Sequence, residues 1–401
     1  MDKRPFQRPR IGRASLWISC SYFWYFASIG CFVPYIALYY RLLNLNGWQI
    51  GVLSAILPLG VAFIAPLWGA LADTFSAHRL IMRSALLLAA ATVILVAQAR
   101  DFVVLLLLMV ILSACLAAIP ALIDSYAVTV GAREGASFGQ LRVWGSVGFI
   151  AAVWFVAWWM GPQVSTFFLL AYAASLALSC CATFGLPPLE TRSAQRMWHG
   201  VAAILSDRSV LLLLLTVYLI VSNATVIGSY LSIYLTEIGG TVQLVGTASV
   251  IGAASELPVM VFGRRLLDRF SSRNIFVLAV AVYLLRLGLY SIPPALSWVV
   301  FVQLLHGMSF GLYLMAAVTL MHELAGRERA ATAQALFSST ALGFGAITGS
   351  LVGGALLDPI GAVGIFRVST VGMLLALAVC IFGVRAAARS VAEQKSQASR
   401  K

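Results

Sequence analysis

Residues 102–122 read FVVLLLLMVILSACLAAIPAL, an unbroken apolar run without a single charged side chain. At about 1.5 Å per residue, a helix of this length covers roughly the 30 Å hydrocarbon core of a bilayer. The run does not alternate apolar and polar with period two, as a barrel strand does. In hydrocarbon every backbone N–H and C=O needs an internal partner, so a run of this kind reads as a spanning helix. Similar runs recur along the chain. Of its 401 residues, 61% are hydrophobic and only 10% charged, against about 25% charged in soluble domains. So little charge cannot cover a water-facing surface. The fold class is therefore all-α integral membrane.

Twelve candidate spans follow, at about 15–40, 48–71, 79–98, 102–128, 138–160, 164–185, 209–235, 244–266, 274–292, 296–321, 331–356 and 362–386. The longest polar interval, 187–208, separates two sets of six. The expected organisation is an N-tail (1–14), a first bundle (15–186), a central loop (187–208), a second bundle (209–386) and a C-tail (387–401). The basic start, Met1–Arg13, precedes an apolar stretch from Leu16 to Tyr40. That stretch is longer than a signal peptide's apolar region and lacks a small-x-small cleavage site, so it reads as an uncleaved first span. With the N-terminus inside, about 22 Lys and Arg fall in cytoplasmic segments, and Arg41, Arg100 and Arg367 fall outside. The positive-inside rule then sets both termini in the cytoplasm, with the chain in the cell's inner (plasma) membrane. The same rule accounts for the net charge of +13 without nucleic acid. The six cysteines lie in apolar segments without metal or redox spacing and read as packing residues.

The halves echo each other. The loop after the second span holds Gly69, Asp73, Phe75, Ser76 and Arg79; the loop after the eighth holds Gly263, Asp268, Phe270, Ser271 and Arg273. Six-span repeats with one loop in matching places are a transporter signature. Gly69-x-Leu71-Ala72-Asp73 followed by Arg79 resembles the loop 2–3 motif of the major facilitator superfamily, and the second copy differs by one inserted residue between Gly263 and Asp268. The resemblance implies twelve helices in two pseudo-symmetric six-helix bundles that rock around a solute held between them. It also implies a gating charge network at Gly69, Asp73, Arg79, Gly263, Asp268 and Arg273.

Five ionisable groups stand within spans: Asp124, Arg142, Glu256, Arg286 and His306. Such groups are costly in lipid, so they pair or line a wet path. Asp124 lies over 30 Å of helix rise from Phe102, close to the cytoplasmic end of its span. The segment Leu141-Arg142-Val143-Trp144-Gly145-Ser146-Val147 resembles the branch of the superfamily that contains the lactose and phenylpropionate permeases. There the matching carboxylate and Arg bind substrate. The resemblance thus implies substrate contacts at Asp124 and Arg142, with Phe149 as an aromatic platform, and proton coupling through Glu256, Arg286 and His306. One departure is Ser309, which stands where lactose permease has the proton-carrying acid. Proton transfer would then fall to Glu256 or Asp124. Polar and aromatic stripes add Trp24 and Phe32 on the first span and Gln303 on the tenth, the last in phase with His306, Ser309 and Tyr313. Tyr218, Ser222, Thr225 and Ser229 form a stripe on the seventh, open to a second reading as helix–helix glue. Gly345, Gly349 and Gly353 read as a close-packing face.

The function expected is proton symport of a small organic solute by alternating access, with no cofactor or metal, in a monomer whose partners are the solute, protons and lipid. An Arg suits a carboxylate and aromatic walls suit a ring, so an aromatic acid such as 3-phenylpropionate is favoured. A sugar or nucleoside is close behind, and efflux shares the fold. A membrane-embedded enzyme is a distant alternative, since the four histidines form no H-E-x-x-H motif.

Overall fold

The computed structural model describes residues 12–161, 164–188, 201–292, 295–326 and 329–398. Among the described residues there is no strand. The helices in chain order are α1 (Arg13–Phe32), α2 (Ile36–Leu42), α3 (Gly47–Leu59), α4 (Ala65–Phe75), α5 (His78–Gln98), α6 (Phe102–Leu116), α7 (Ile119–Glu134), α8 (Phe138–Met160) and α9 (Phe167–Ala182). After the central segment come α10 (Val201–Leu205), α11 (Arg208–Glu237), α12 (Val242–Arg269), α13 (Ser272–Ser291), α14 (Leu296–His306), α15 (Leu312–Ala325), α16 (Ala330–Ser338) and α17 (Ala346–Ala398). Three π-helical stretches, Gly60–Ile64, Gly307–Gly311 and Ser339–Gly345, join α3 to α4, α14 to α15 and α16 to α17.

Among the described residues, eleven helical stretches are long and apolar enough to cross a membrane. The last, Thr332–Gly383, has 52 residues, more than twice what one crossing needs at about 1.5 Å per residue. It breaks at Gly361, where φ is 70° and ψ is 172°. A left-handed φ of this kind is cheap for glycine. Pro359, two residues earlier, supplies no backbone donor. Divided there, the stretch makes two spans and the total is twelve, as the apolar runs predict. The runs also predict a short connection after residue 356, whereas the helix continues to the single break at Gly361.

Side chains set several helix starts. Asn46 accepts from the Gln49 backbone N–H while the Gln49 side chain accepts from the Asn46 N–H, a complete capping box. Asp101, Asp207, Thr241 and Ser271 cap α6, α11, α12 and α13 in the same sense.

The chain divides into two compact units. The first comprises α1, residues 63–156 and α9; the second comprises 33–62, 157–165 and α10–α17. In the first unit α1 packs on α7 and α9, and α5 packs on α6 and α9. Backbone contact between α1 and α8 depends on glycine. A Cβ at Gly30 would stand 2.6 Å from the Phe149 carbonyl, and one at Gly148 would overlap the Phe23 carbonyl. Glu134, at the end of α7, accepts the Ser15 N–H at 2.8 Å and the Ala14 N–H at 3.3 Å. It thereby caps α1 from 119 residues away.

In the second unit α17 packs against α11, α3 and α13. The Gly349 and Gly353 face meets α11 at the Ser222 carbonyl and the Tyr230 ring, and Gly345 meets Val221. The spacing of these glycines predicts this packing. Ser222 and Thr225 donate to carbonyls four residues back on their own helix and flank Gly349, so this polar stripe serves the helix contact. On α3, a Cβ at Gly51 would lie 2.7 Å from the Ser350 carbonyl. Asp358 accepts from Arg41 at 2.6 Å through one oxygen and from the Gly47 N–H at 2.6 Å through the other.

Gly148→Ala is expected to destabilise the protein by about 1–3 kcal/mol, because the helices must separate to admit the methyl group. Thermal unfolding in detergent reads this. A midpoint equal to wild type would mean that α1 and α8 do not meet through their backbones.

Candidate functional site

The five ionisable groups within the spans gather in two places, one in each unit. In the first unit α7 carries Asp124 and α8 carries Arg142, with Arg142 Nη1 3.9 Å from Asp124 Oδ1. Both side chains are about two-fifths exposed. Tyr22 of α1, itself buried, donates from its hydroxyl to Asp124 Oδ1 at 2.6 Å. The Arg142 guanidinium lies over the Phe26 ring, 5.1 Å from its centroid, a cation–π arrangement. Phe26 can sit there because Gly145 has no side chain: a Cβ would fall 2.8 Å from the ring.

The sequence expectations for α1 fare differently. Phe32 is buried against Tyr172, ring centroids 4.7 Å apart, and lies about 15 Å along the helix from Tyr22. Trp24 is half-buried, edge-on to Phe23 at 5.1 Å. Phe149 is half-buried, with its carbonyl against Gly30. Tyr22 and Phe26 are the α1 side chains in contact with the Asp124–Arg142 pair, and the sequence stripe omits both. Their i, i+4 spacing is the available signal. It is hidden in the run Tyr22-Phe23-Trp24-Tyr25-Phe26, which places a ring on every face.

In the second unit, Arg286 of α13 is 1% exposed. It donates to His306 Nδ1 at 2.8 Å, to Ser309 Oγ at 3.3 Å and to Gln303 Oε1. His306 Nε2 stands 2.8 Å from Glu256 Oε1 of α12. The His306 ring stacks on Phe310, 5.4 Å away and nearly parallel. Gln303 is thus drawn into this row, buried against Arg286. Arginine has donors only, so His306 Nδ1 must accept. The imidazole is neutral, its proton sits on Nε2, and that N–H donates to Glu256 Oε1. The order along the row is guanidinium, neutral imidazole, carboxyl group. Ser309, without an acid of its own, serves as a further acceptor for the buried cation.

The two loop copies differ structurally. Gly69 has open space where a Cβ would project, whereas a Cβ at Gly263 would run into the Met315 sulfur. Arg79 and Asp268 are exposed and Arg273 is half-buried. The Asp73 side chain lies outside the described residues. Among the described residues no group of three His, Cys, Asp or Glu converges as metal ligands.

The MFS_1 like family profile matches residues 15–368. A maltose permease of Geobacillus stearothermophilus is 32% identical over 86% of this chain and 89% of its own length. A probable 3-phenylpropionic acid transporter of Escherichia coli is 25% identical over 82% of this chain and 88% of its own length. Among solved structures, a mutant form of the nucleoside transporter NupG superposes with a TM-score of 0.85, covering 92% of this chain and 99% of that one at 18% identity. A bacterial homologue of the lysosomal transporter Spinster superposes at 0.71 over 94% and 98%, at 13% identity. These likenesses agree with the helical architecture. The chain is a multi-pass membrane transporter, not an enzyme, and belongs to the MFS_1 like family of the major facilitator type.

Proposed function

We propose that this transporter moves a small neutral, hydroxylated solute, of sugar or nucleoside type, together with a proton, by alternating access. In this reading it works as a monomer of two six-helix halves in the inner membrane, with both termini in the cytoplasm. The basic loops support that orientation. The observation that carries the reading is the Arg286–His306–Glu256 row. Arg286 holds His306 in a single neutral tautomer, so Glu256 is the member that takes a proton without breaking the Arg286 bond. Protonating Glu256 removes the anion that balances Arg286, which ties the charge state of the row to the transport cycle.

The solute class follows from charge. With Glu256 ionised, Asp124, Arg142, Glu256 and Arg286 sum to zero, so these four groups within the spans leave no excess cation to draw an organic anion. The relationship to a maltose permease and the fold shared with a nucleoside transporter point the same way. An aromatic acid is the second reading. It is favoured by the 3-phenylpropionic acid transporter relative and by the exposure of Arg142 beside the Phe26 ring. In this scheme Asp124 and Arg142 contact solute, Glu256 carries the proton, and Arg286, His306, Gln303 and Ser309 set its environment. Phe149 and Trp24 are proposed to shape the wall, with Phe32 packed behind it against Tyr172. Gly69, Asp73, Arg79, Gly263, Asp268 and Arg273 are proposed to latch helix ends.

Uptake of labelled maltose, uridine and 3-phenylpropionate into vesicles, with and without an inward proton gradient, tests this. The expected result is accumulation of a hydroxylated solute that collapses with a protonophore. Accumulation indifferent to the gradient would remove the proton from the scheme. Glu256→Gln is expected to abolish gradient-driven accumulation while sparing exchange of labelled for unlabelled solute; intact accumulation would move the proton elsewhere. Arg142→Ala should cost roughly 1.5–3 kcal/mol of solute binding, the scale of a hydrogen bond to a charged group. Insertion and folding should be unaffected, and retained affinity would remove Arg142 from the solute site.

A further inference from the structure

Opposite charges this close usually finish the contact. A carboxylate and a guanidinium with nothing between them settle at about 2.8 Å, often through two parallel hydrogen bonds. Asp124 and Arg142 stop at 3.9 Å. Two side chains of α1 bear on that gap. The Tyr22 hydroxyl occupies Oδ1, the carboxylate oxygen nearest Arg142, at 2.6 Å. The phenol oxygen therefore sits as a wedge at the place a guanidinium N–H would take. Tyr22 is buried on α1 and cannot swing away. From the other side, the Phe26 ring holds the guanidinium over its face, in space left open by Gly145. Tyr22 and Phe26 are one turn apart, with ring centroids 6.3 Å apart, so one helix face governs both members of the pair.

We propose that Tyr22 and Phe26 are positioning residues that keep Asp124 and Arg142 apart as a separate acceptor and donor, set to be bridged by a solute with adjacent hydroxyls. This rests on the reading above that the pair meets solute. A closed ion pair would satisfy itself, and solute would have to break it. Held open, the pair presents Oδ2 as an acceptor and guanidinium N–H groups as donors. A hydroxyl can donate to the first and accept from the second. A vicinal diol does both at once, and a carboxylate solute engages only the Arg142 side.

Two measurements separate this proposal from the reading beneath it. The first needs no solute: the rate at which the arginine-selective dicarbonyl phenylglyoxal modifies Arg142 in the purified, full-length protein, read by peptide mass spectrometry. In Tyr22→Phe the ring and its packing remain but the wedge is gone. The pair should close, and Arg142 modification should slow several-fold relative to Arg41, an internal reference whose ion pair with Asp358 neither variant touches. Gly145→Ala, which displaces Phe26, should act in the same direction. An unchanged Arg142 rate in both variants overturns the proposal, since a plain packing role would leave it unmoved. The second measurement is uptake of maltose, uridine and 3-phenylpropionate. For the hydroxylated solute, Tyr22→Phe should raise KM about ten-fold with kcat preserved, the scale of one charged hydrogen bond. Shielding of Arg142 without any change in KM would uphold the wedge and overturn its part in solute recognition.

Discussion

A guanidinium buried within the spans needs acceptors, and that requirement organises the second unit. Arg286 is nearly sealed from solvent, where an uncompensated charge costs several kcal/mol. Three acceptors come from one direction: Gln303 and His306 near the end of α14, and Ser309 in the π-helical stretch that follows. Because the cation can only donate, each acceptor's role is fixed, and the fixed tautomer of His306 in turn fixes the bond to Glu256. One buried charge thus determines the protonation pattern of a row spanning α12, α13 and the α14–α15 junction. The arginine of the first unit stands in contrast. Arg142 is half-buried, loosely paired and seated on an aromatic face. The same residue type is consumed in one unit and left available in the other.

Much of this architecture is legible in the sequence, because the bilayer imposes a length. Runs of about twenty apolar residues report helices whatever their packing, and the sparse charges then stand out against them. The Gly345, Gly349 and Gly353 spacing reports close approach because three residues in register can do little else. Pairings across long sequence distances are not legible. Asp358 gives no sign that its carboxylate will cap a helix 311 residues away, and Glu134 gives none that it will cap α1. Direction within a hydrogen-bonded row is also hidden, since the residue types allow several proton placements until geometry shows that Arg286 faces Nδ1.

Aromatic runs mark a further limit. Five consecutive rings between Tyr22 and Phe26 carry no phase, so periodicity cannot choose the face that meets α7 and α8. The choice is made by Gly145 and Gly148, which let α8 approach α1 only along one line. The small residues decide which large ones work, and they do so from a different helix. The polar stripe on α11 shows the converse. Ser222 and Thr225 satisfy themselves on their own backbone, and the glycine face of α17 then lies against them.

The break at Gly361 has a mechanical meaning. Two membrane crossings meet there through one residue with no intervening loop, and each side is anchored close by: Asp358 to Arg41 and Gly47, and the Ala362 N–H to the carboxylate of Glu237. A joint this short leaves no slack of chain between the final two crossings, and the contacts on either side fix where each of them starts.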